Sequence, residues 1–283
     1  MTTPHTSRRR LGLLLSCALA FTTVSTVLPT VYAQMPTSTR RTGFAQLNDA
    51  LYIEGGFDSD TTTQFVSLDL STSWSSSTPA WSILPGGQSA AHLALAPISS
   101  TANGGAKGSL MAIGGMGAPS FFSFYDVSAG SWSNMTTVKP PYTYLEGQAA
   151  VSDPNTGLVY IVGGYGNNTY NQLSVYDPNA RSMVSQAAAT AATSLTDVGA
   201  VWVSSRNTVL TFGGSRAPPA NTSGLGTGDL NEYDPSTKTW KVMSTSGDIP
   251  PARLDHCMAA CKWKFFSFFV ASTSPGTSLP LDS

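Results

Sequence analysis

Leu158-Val159-Tyr160-Ile161-Val162-Gly163-Gly164, then Val175-Tyr176-Asp177-Pro178, then Met183, is the stretch that decides the fold. Five consecutive apolar residues rich in β-branched and aromatic types make a short strand buried on both faces. The glycine pair closes it where a side chain is excluded. Asp177 and Pro178 are the first two residues of a type I turn, and a large apolar residue follows six positions past the acid.

The same order of signals occurs four times. Hydrophobic runs end in Gly55-Gly56, Gly114-Gly115, Gly163-Gly164 and Gly213-Gly214, at intervals of 59, 49 and 50 residues. Each pair is followed by a variable loop and a second strand ending in an acid: Leu68-Asp69, Tyr125-Asp126, Tyr176-Asp177 and Tyr233-Asp234. Six positions past the acid stand Trp132, Met183 and Trp240. In the first unit a Ser-rich insertion separates Trp74 from Trp81, and Trp81 is taken as the equivalent. Each unit also has a preceding first strand, at 43–48, 90–96, 147–152 and 198–204. Self-similarity at a fixed period is the signature of a repeat architecture.

Glycine pair, Tyr-Asp and Trp at a period near fifty residues resemble the kelch repeat, over roughly residues 40 to 260. The resemblance implies an all-β fold, a kelch-type β-propeller in which each unit is a four-stranded antiparallel blade. Four blades are recognisable, plus the start of a fifth at Pro250-Pro251-Ala252-Arg253-Leu254-Asp255-His256. There the pattern fails, because no glycine pair follows. Residues 261–283, Phe-rich and then Ser/Pro-rich, are read as lying outside the blades, which makes the propeller region 34–260. The readings left open are a truncated, non-functional product of an interrupted repeat, a divergent last blade, or closure with another chain.

The 283 residues carry 15 Lys and Arg against 16 Asp and Glu, and only 11% are charged. Such a surface has little with which to bind nucleic acid. Residues 1–33 read as a secretory signal peptide: Arg8 to Arg10, the apolar run from Leu11, and small residues at Val31 and Ala33 before a cleavage site at Gln34. An uncleaved membrane anchor over 11–33 is the competing reading. Secretion to the extracellular space or cell surface would open the sequons at Asn134, Asn167 and Asn221 to glycosylation.

Little catalytic chemistry is visible. Galactose oxidase, a copper radical enzyme, is among the secreted relatives that the resemblance suggests, and its site needs two His, two Tyr and a Cys. After signal removal only His92 and His256 remain, and they read as ordinary first-strand residues. Cys257 and Cys261 lie ~13 Å apart on a straight strand, beyond the ~7 Å of a disulfide; a turn after Met258 would permit the bridge, and free thiols are the alternative. Gly104-Gly105-Ala106-Lys107-Gly108-Ser109 lacks the helix that a phosphate loop requires and reads as a blade-entry hairpin. The recurring Asp69, Asp126, Asp177 and Asp234 read as turn caps. The expectation is a non-enzymatic binding module with no cofactor, whose partner, protein or carbohydrate, meets loops such as 215–229.

Overall fold

The computed structural model describes residues 36–102, 105–135, 138, 140, 142–166, 169–170, 173–186, 195–215, 230–244, 246, 256–260 and 266–270. All of them belong to the unit Ala33–Ser283. The signal segment, Gln34, Asn167, Asn221, Cys261 and most of the 215–229 loop lie outside the described residues.

Four antiparallel sheets form four blades of a β-propeller. Blade I holds β1 (Gly43–Leu47), β2 (Ala50–Glu54), β3 (Phe65–Asp69) and β4 (Trp81–Ile83). Blade II holds β5 (Ala94–Ile98), β6 (Ser109–Ile113), β7 (Phe122–Asp126) and β8 (Ser131–Asn134). Blade III holds β9 (Glu146–Ser152), β10 (Val159–Gly166), β12 (Leu173–Asp177) and β13 (Ser182–Gln186), with the short β11 (Thr169–Tyr170) paired to the end of β10. Blade IV holds β14 (Gly199–Val203), β15 (Thr208–Phe212), β16 (Leu230–Asp234) and β17 (Thr239–Met243). Then β18 (His256–Ala260) pairs antiparallel with β19 (Phe266–Val270). Part of the segment expected outside the blades is therefore strand, occupying the place of a second strand in unit V.

The first strands lie side by side in the order β1, β5, β9, β14, β18. One first strand starts later than its sequence suggested: His92 is left-handed at φ 54° and Ala91 pairs in an isolated bridge with Met116, so β5 begins only at Ala94.

Every second strand between two neighbours is buried on both faces, as β6 and β15 are along their whole length. The core is accordingly divided into seams. Seam I/II holds Leu47, Tyr52, Phe65, Leu95, Leu110 and Tyr125; seam II/III holds Ile113, Phe122, Ile161 and Tyr176; seam III/IV holds Val162, Leu173, Val209 and Tyr233; seam IV/V holds Phe212 and Met258. Burial of these flat side chains is the main force holding neighbours together. The repeated Tyr of blades II, III and IV fills the seam toward the preceding blade. Tyr125 meets Phe65 edge-on at 4.7 Å, and Tyr176 lies 5.8 Å from Phe122. Trp81, Trp132, Met183 and Trp240 stand opposite Leu68, Tyr125, Tyr176 and Tyr233 in register; Trp74 is solvent-exposed.

At the end of the blades where the third strand turns into the fourth, the acids bond the turns. Asp126 Oδ1 accepts from the amides of Ser128 and Ala129, and Asp177 Oδ1 from those of Asn179 and Ala180. Asp69 and Asp234 accept from the amide and hydroxyl of Ser71 and Ser236, which hold both carboxyls below the ordinary range. The connection after β5 is a hairpin closed by a Gly108 amide bond to Gly105, and a strand, not a helix, follows it.

Candidate functional site at the propeller axis

The opposite end of the blades is built by the glycine pairs. In the first three pairs the second glycine donates its amide to a carbonyl in the next unit: Gly56 to Ala90, Gly115 to Leu145 and Gly164 to Leu195, at 2.7–2.8 Å. A Cβ on the first glycine would sit 2.4, 2.3 and 2.4 Å from those same three oxygens. The first glycines are also left-handed, at φ 66°, 56° and 66° for Gly55, Gly114 and Gly163. The pair is therefore a latch between neighbouring blades: one glycine donates to the carbonyl and the other makes room for it. A tight turn, the reason read from sequence, is the lesser part of the requirement.

A second set of inter-blade bonds lies nearer the axis. The His92 amide donates to Arg41 O, the Gly147 amide to His92 O and the Asp197 amide to Gly147 O, at 2.8, 3.0 and 2.7 Å. All four residues have positive φ: 61°, 54°, 68° and 55° in chain order. His and Asp enter this conformation more readily than most side chains, and Gly at no cost. They occupy one structural position, two residues ahead of the residue paired with the last position before the glycine pair. The result is an arc of backbone hydrogen bonds linking units I to IV.

Above this arc the side chains form a polar cluster. His92 Nδ1 donates to Asp197 Oδ1 at 2.9 Å, with both side chains almost wholly buried. The bond joins unit II to unit IV across unit III, where Gly147 leaves the space: a Cβ there would come within 3.0 Å of Asp197 Oδ1. Below lies a cavity of about 190 Å³ lined by the inner strands of all five units, including Arg41, His92, Gln148, Asp197, His256 and Cys257. Burial pushes the Cys257 thiol up from its ordinary value, away from the reactive thiolate.

The model of the KLHDC2/KLHL20/DRC7 Kelch-repeats domain matches residues 98–269, a run that takes in blade II from the end of β5, blades III and IV, β18 and most of β19. The chain belongs to the kelch-repeat family. Among curated proteins no significant match is found. Kelch propellers act as protein-binding modules, and the fold directs the search for function to a binding surface.

The two histidines singled out from the sequence both line the cavity at the kelch axis. His92 precedes its strand and sits in the arc, whereas His256 is on β18, edge-on to Phe212 at 5.8 Å. Among the described residues no three His, Cys, Asp or Glu side chains gather where they could hold a metal ion. The turn after Met258 needed for a Cys257–Cys261 bridge is not formed, since β18 stays extended to Ala260. Asn134 is exposed at the end of β8, and its Oδ1 accepts from Ser123 Oγ at 2.7 Å. No described helix is long and apolar enough to cross a membrane.

Sequence reasoning missed the arc. Three of its four members are not glycine, and the repeated feature is a backbone conformation shared by Arg41, His92, Gly147 and Asp197. Their constant place is two residues ahead of the first-strand residue that pairs with the position before each glycine pair, and it is legible only once the strands are in register.

Proposed function

We propose that this kelch chain is a secreted or cell-surface binding module that docks a protein partner over the axial mouth, without catalysis. The asymmetry of the blade ends supports this reading. The turns from third to fourth strand after Asp126 and Asp177 are short and capped, whereas the second-to-third-strand connections that start at the glycine latches run over 55–64 and 114–121. The axial cavity is lined by the starts of the first strands, at the same end of the blades. Function concentrates on variable loops held by a rigid scaffold, and here the latch and arc fix the loop stems by main-chain bonds to neighbouring units. The low charge of the chain favours recognition by shape and hydrogen bonding over electrostatic steering.

A photo-crosslinking amino acid at exposed Asp58, on the mouth side, is to be compared with one at exposed Ser128, in a capped turn. Full-length chain applied to the surface of producing cells should give a discrete adduct from position 58 that excess unlabelled chain competes away. Adducts from position 128 alone would reject the mouth as docking face, and an adduct that a glycosidase but not a protease removes would make the ligand a carbohydrate. Copper-loaded chain given galactose should produce no peroxide above the metal blank. N-terminal sequencing of medium protein should start at Gln34.

A further inference from the structure

The residue just before each glycine pair points into the seam toward the next blade. In blades II, III and IV it is Ile113, Val162 and Phe212, each packed in its seam cluster. In blade I it is Glu54, with no solvent exposure. A carboxyl therefore stands where three sister units place a large apolar side chain.

Its compensation is thin. Glu54 Oε1 accepts one bond, from the Gln88 amide at 3.2 Å, while Oε2 is buried without a partner. Glu232, the buried acid of blade IV, shows what full compensation looks like. It pairs with Arg206 through both carboxylate oxygens at 2.7 Å and accepts from Thr208 Oγ1 at 2.8 Å. Among the described residues no cation reaches Glu54. In its seam the other titratable side chains are the Tyr52 and Tyr125 phenols. On the adjoining loops Arg40 lies over the Phe57 ring, His92 is bonded to Asp197, and Asp58 and Asp60 are exposed. Asp69 and Asp126 cap turns at the far end of the strands, and Arg41 belongs to the arc.

We propose that the joint between blades I and II is proton-gated: closed while Glu54 carries its proton, loosened when the proton leaves. A neutral carboxyl in an apolar seam costs what a buried polar group costs, but an anion there without a counter-charge costs far more. Desolvation accordingly raises the Glu54 carboxyl from 4.5 to about 8, against the small opposing pull of the Gln88 amide. Because the folded value lies above the unfolded one, Glu54 favours folding fully below about 4.5, and that advantage drains away as pH rises toward about 8. The joint sits beside the axis. Gly43 pairs with Glu54 in register, and a Cβ on it would lie 2.5 Å from Leu93 Cδ1. Loosening this seam shifts the wall that unit I gives to the axial cavity, whatever that cavity binds.

The test is equilibrium unfolding of the full chain and of its Glu54→Gln and Glu54→Ile variants between about pH 5 and about pH 9. The wild-type unfolding constant should rise about tenfold per pH unit relative to both variants until the carboxyl has ionised. Parallel profiles for all three would overturn the proposal. A measurement on the wild type alone guards against variants that fail to fold. Amide-exchange protection of Gly56, the latch across this joint, should fall with pH relative to that of Gly164 in seam III/IV. A ratio of protection factors that stays constant over the range would equally overturn it.

Discussion

Seams I/II and III/IV share a glycine latch and a buried Tyr beside a Trp, and they differ in polarity at the residue next to the latch. Both have a glycine latch with nearly superimposable geometry: a Gly56 or Gly164 amide 2.8 Å from the neighbour's carbonyl, and a first glycine whose Cβ would lie 2.4 Å from it. Both bury a Tyr from the later blade, Tyr125 or Tyr233, beside Trp132 or Trp240 at 5.3 and 5.2 Å. Next to the latch, however, seam III/IV places Val162 in an apolar cluster with Val209, and seam I/II places Glu54, bonded to the Gln88 amide. The backbone device tolerates a change of side-chain chemistry beside it. Main-chain bonds thus set the angle between blades, while side chains decide under which conditions the joint holds.

The largest effect should come from breaking the latch that the two seams share. Gly163→Ala places a methyl 2.4 Å from Leu195 O in a left-handed residue at φ 66°. Neither backbone can retreat without giving up the Gly164 bond. A loss on the order of 4 kcal/mol is expected from overlap, strain and the lost bond together, and Gly55→Ala should match it within about 1 kcal/mol. Denaturant midpoints of the two variants check both numbers. Similar stability to wild type in either would mean that the pair serves the turn alone.

A smaller loss should follow from making seam III/IV resemble seam I/II. Val162→Glu buries a carboxyl in a seam whose cluster of described residues holds no cation, costing about 3 kcal/mol at neutral pH. The cost should shrink by about 1.4 kcal/mol for each pH unit of acidification while the folded carboxyl keeps its proton and the unfolded one does not. Urea melts across acid and neutral pH would show it. A cost independent of pH would mean that the seam opens to water, and would remove the contrast between the two joints.

Much of this was legible in the sequence, for a physical reason. Strands buried on both faces, such as Leu158 to Val162, leave unbroken apolar runs, and the latch glycines have no substitute, so both are written residue by residue. The acids capping the turns are legible likewise, because the bond each makes is local. The arc was not legible: Arg41, His92, Gly147 and Asp197 share a backbone shape and share no chemistry. The strand at Phe266–Val270 escaped because it has no glycine pair to announce it, and pairing with β18 defines it instead. Glu54 stood in plain sight before Gly55, but its oddity appears only when Ile113, Val162 and Phe212 are known to face seams.

Gly147→Ala addresses the arc that lies between the two seams. Its left-handed residue would then carry a Cβ, as Arg41, His92 and Asp197 already do, so conformation alone costs about 1 kcal/mol. The methyl would press on Asp197 Oδ1 at 3.0 Å, a side-chain atom that can move. A destabilisation of about 1–2 kcal/mol is expected, together with a weakened His92–Asp197 bond. Replacing Asp197 by Asn in the same background should then add less than it does in the wild type, because the two changes strike one contact. Additive losses would show that Gly147 and the pair across it act separately.

The smallest effect belongs to the capped turns at the far end of the blades. Asp177 Oδ1 accepts from the amides of Asn179 and Ala180 at 2.8 and 3.0 Å, in a turn that Pro178 already holds near the required φ. Asp177→Ala removes both bonds and leaves two exposed amides that water can satisfy. The cost should be about 1 kcal/mol, and the Asp126→Ala turn, which lacks the proline, should lose slightly more. Neither substitution touches a seam, so neither should alter the pH dependence assigned to Glu54 or crosslinking at the axial mouth. A loss comparable to that of Gly163→Ala would mean that these turns, too, transmit strain between blades, and the division of labour between the two blade ends would fall.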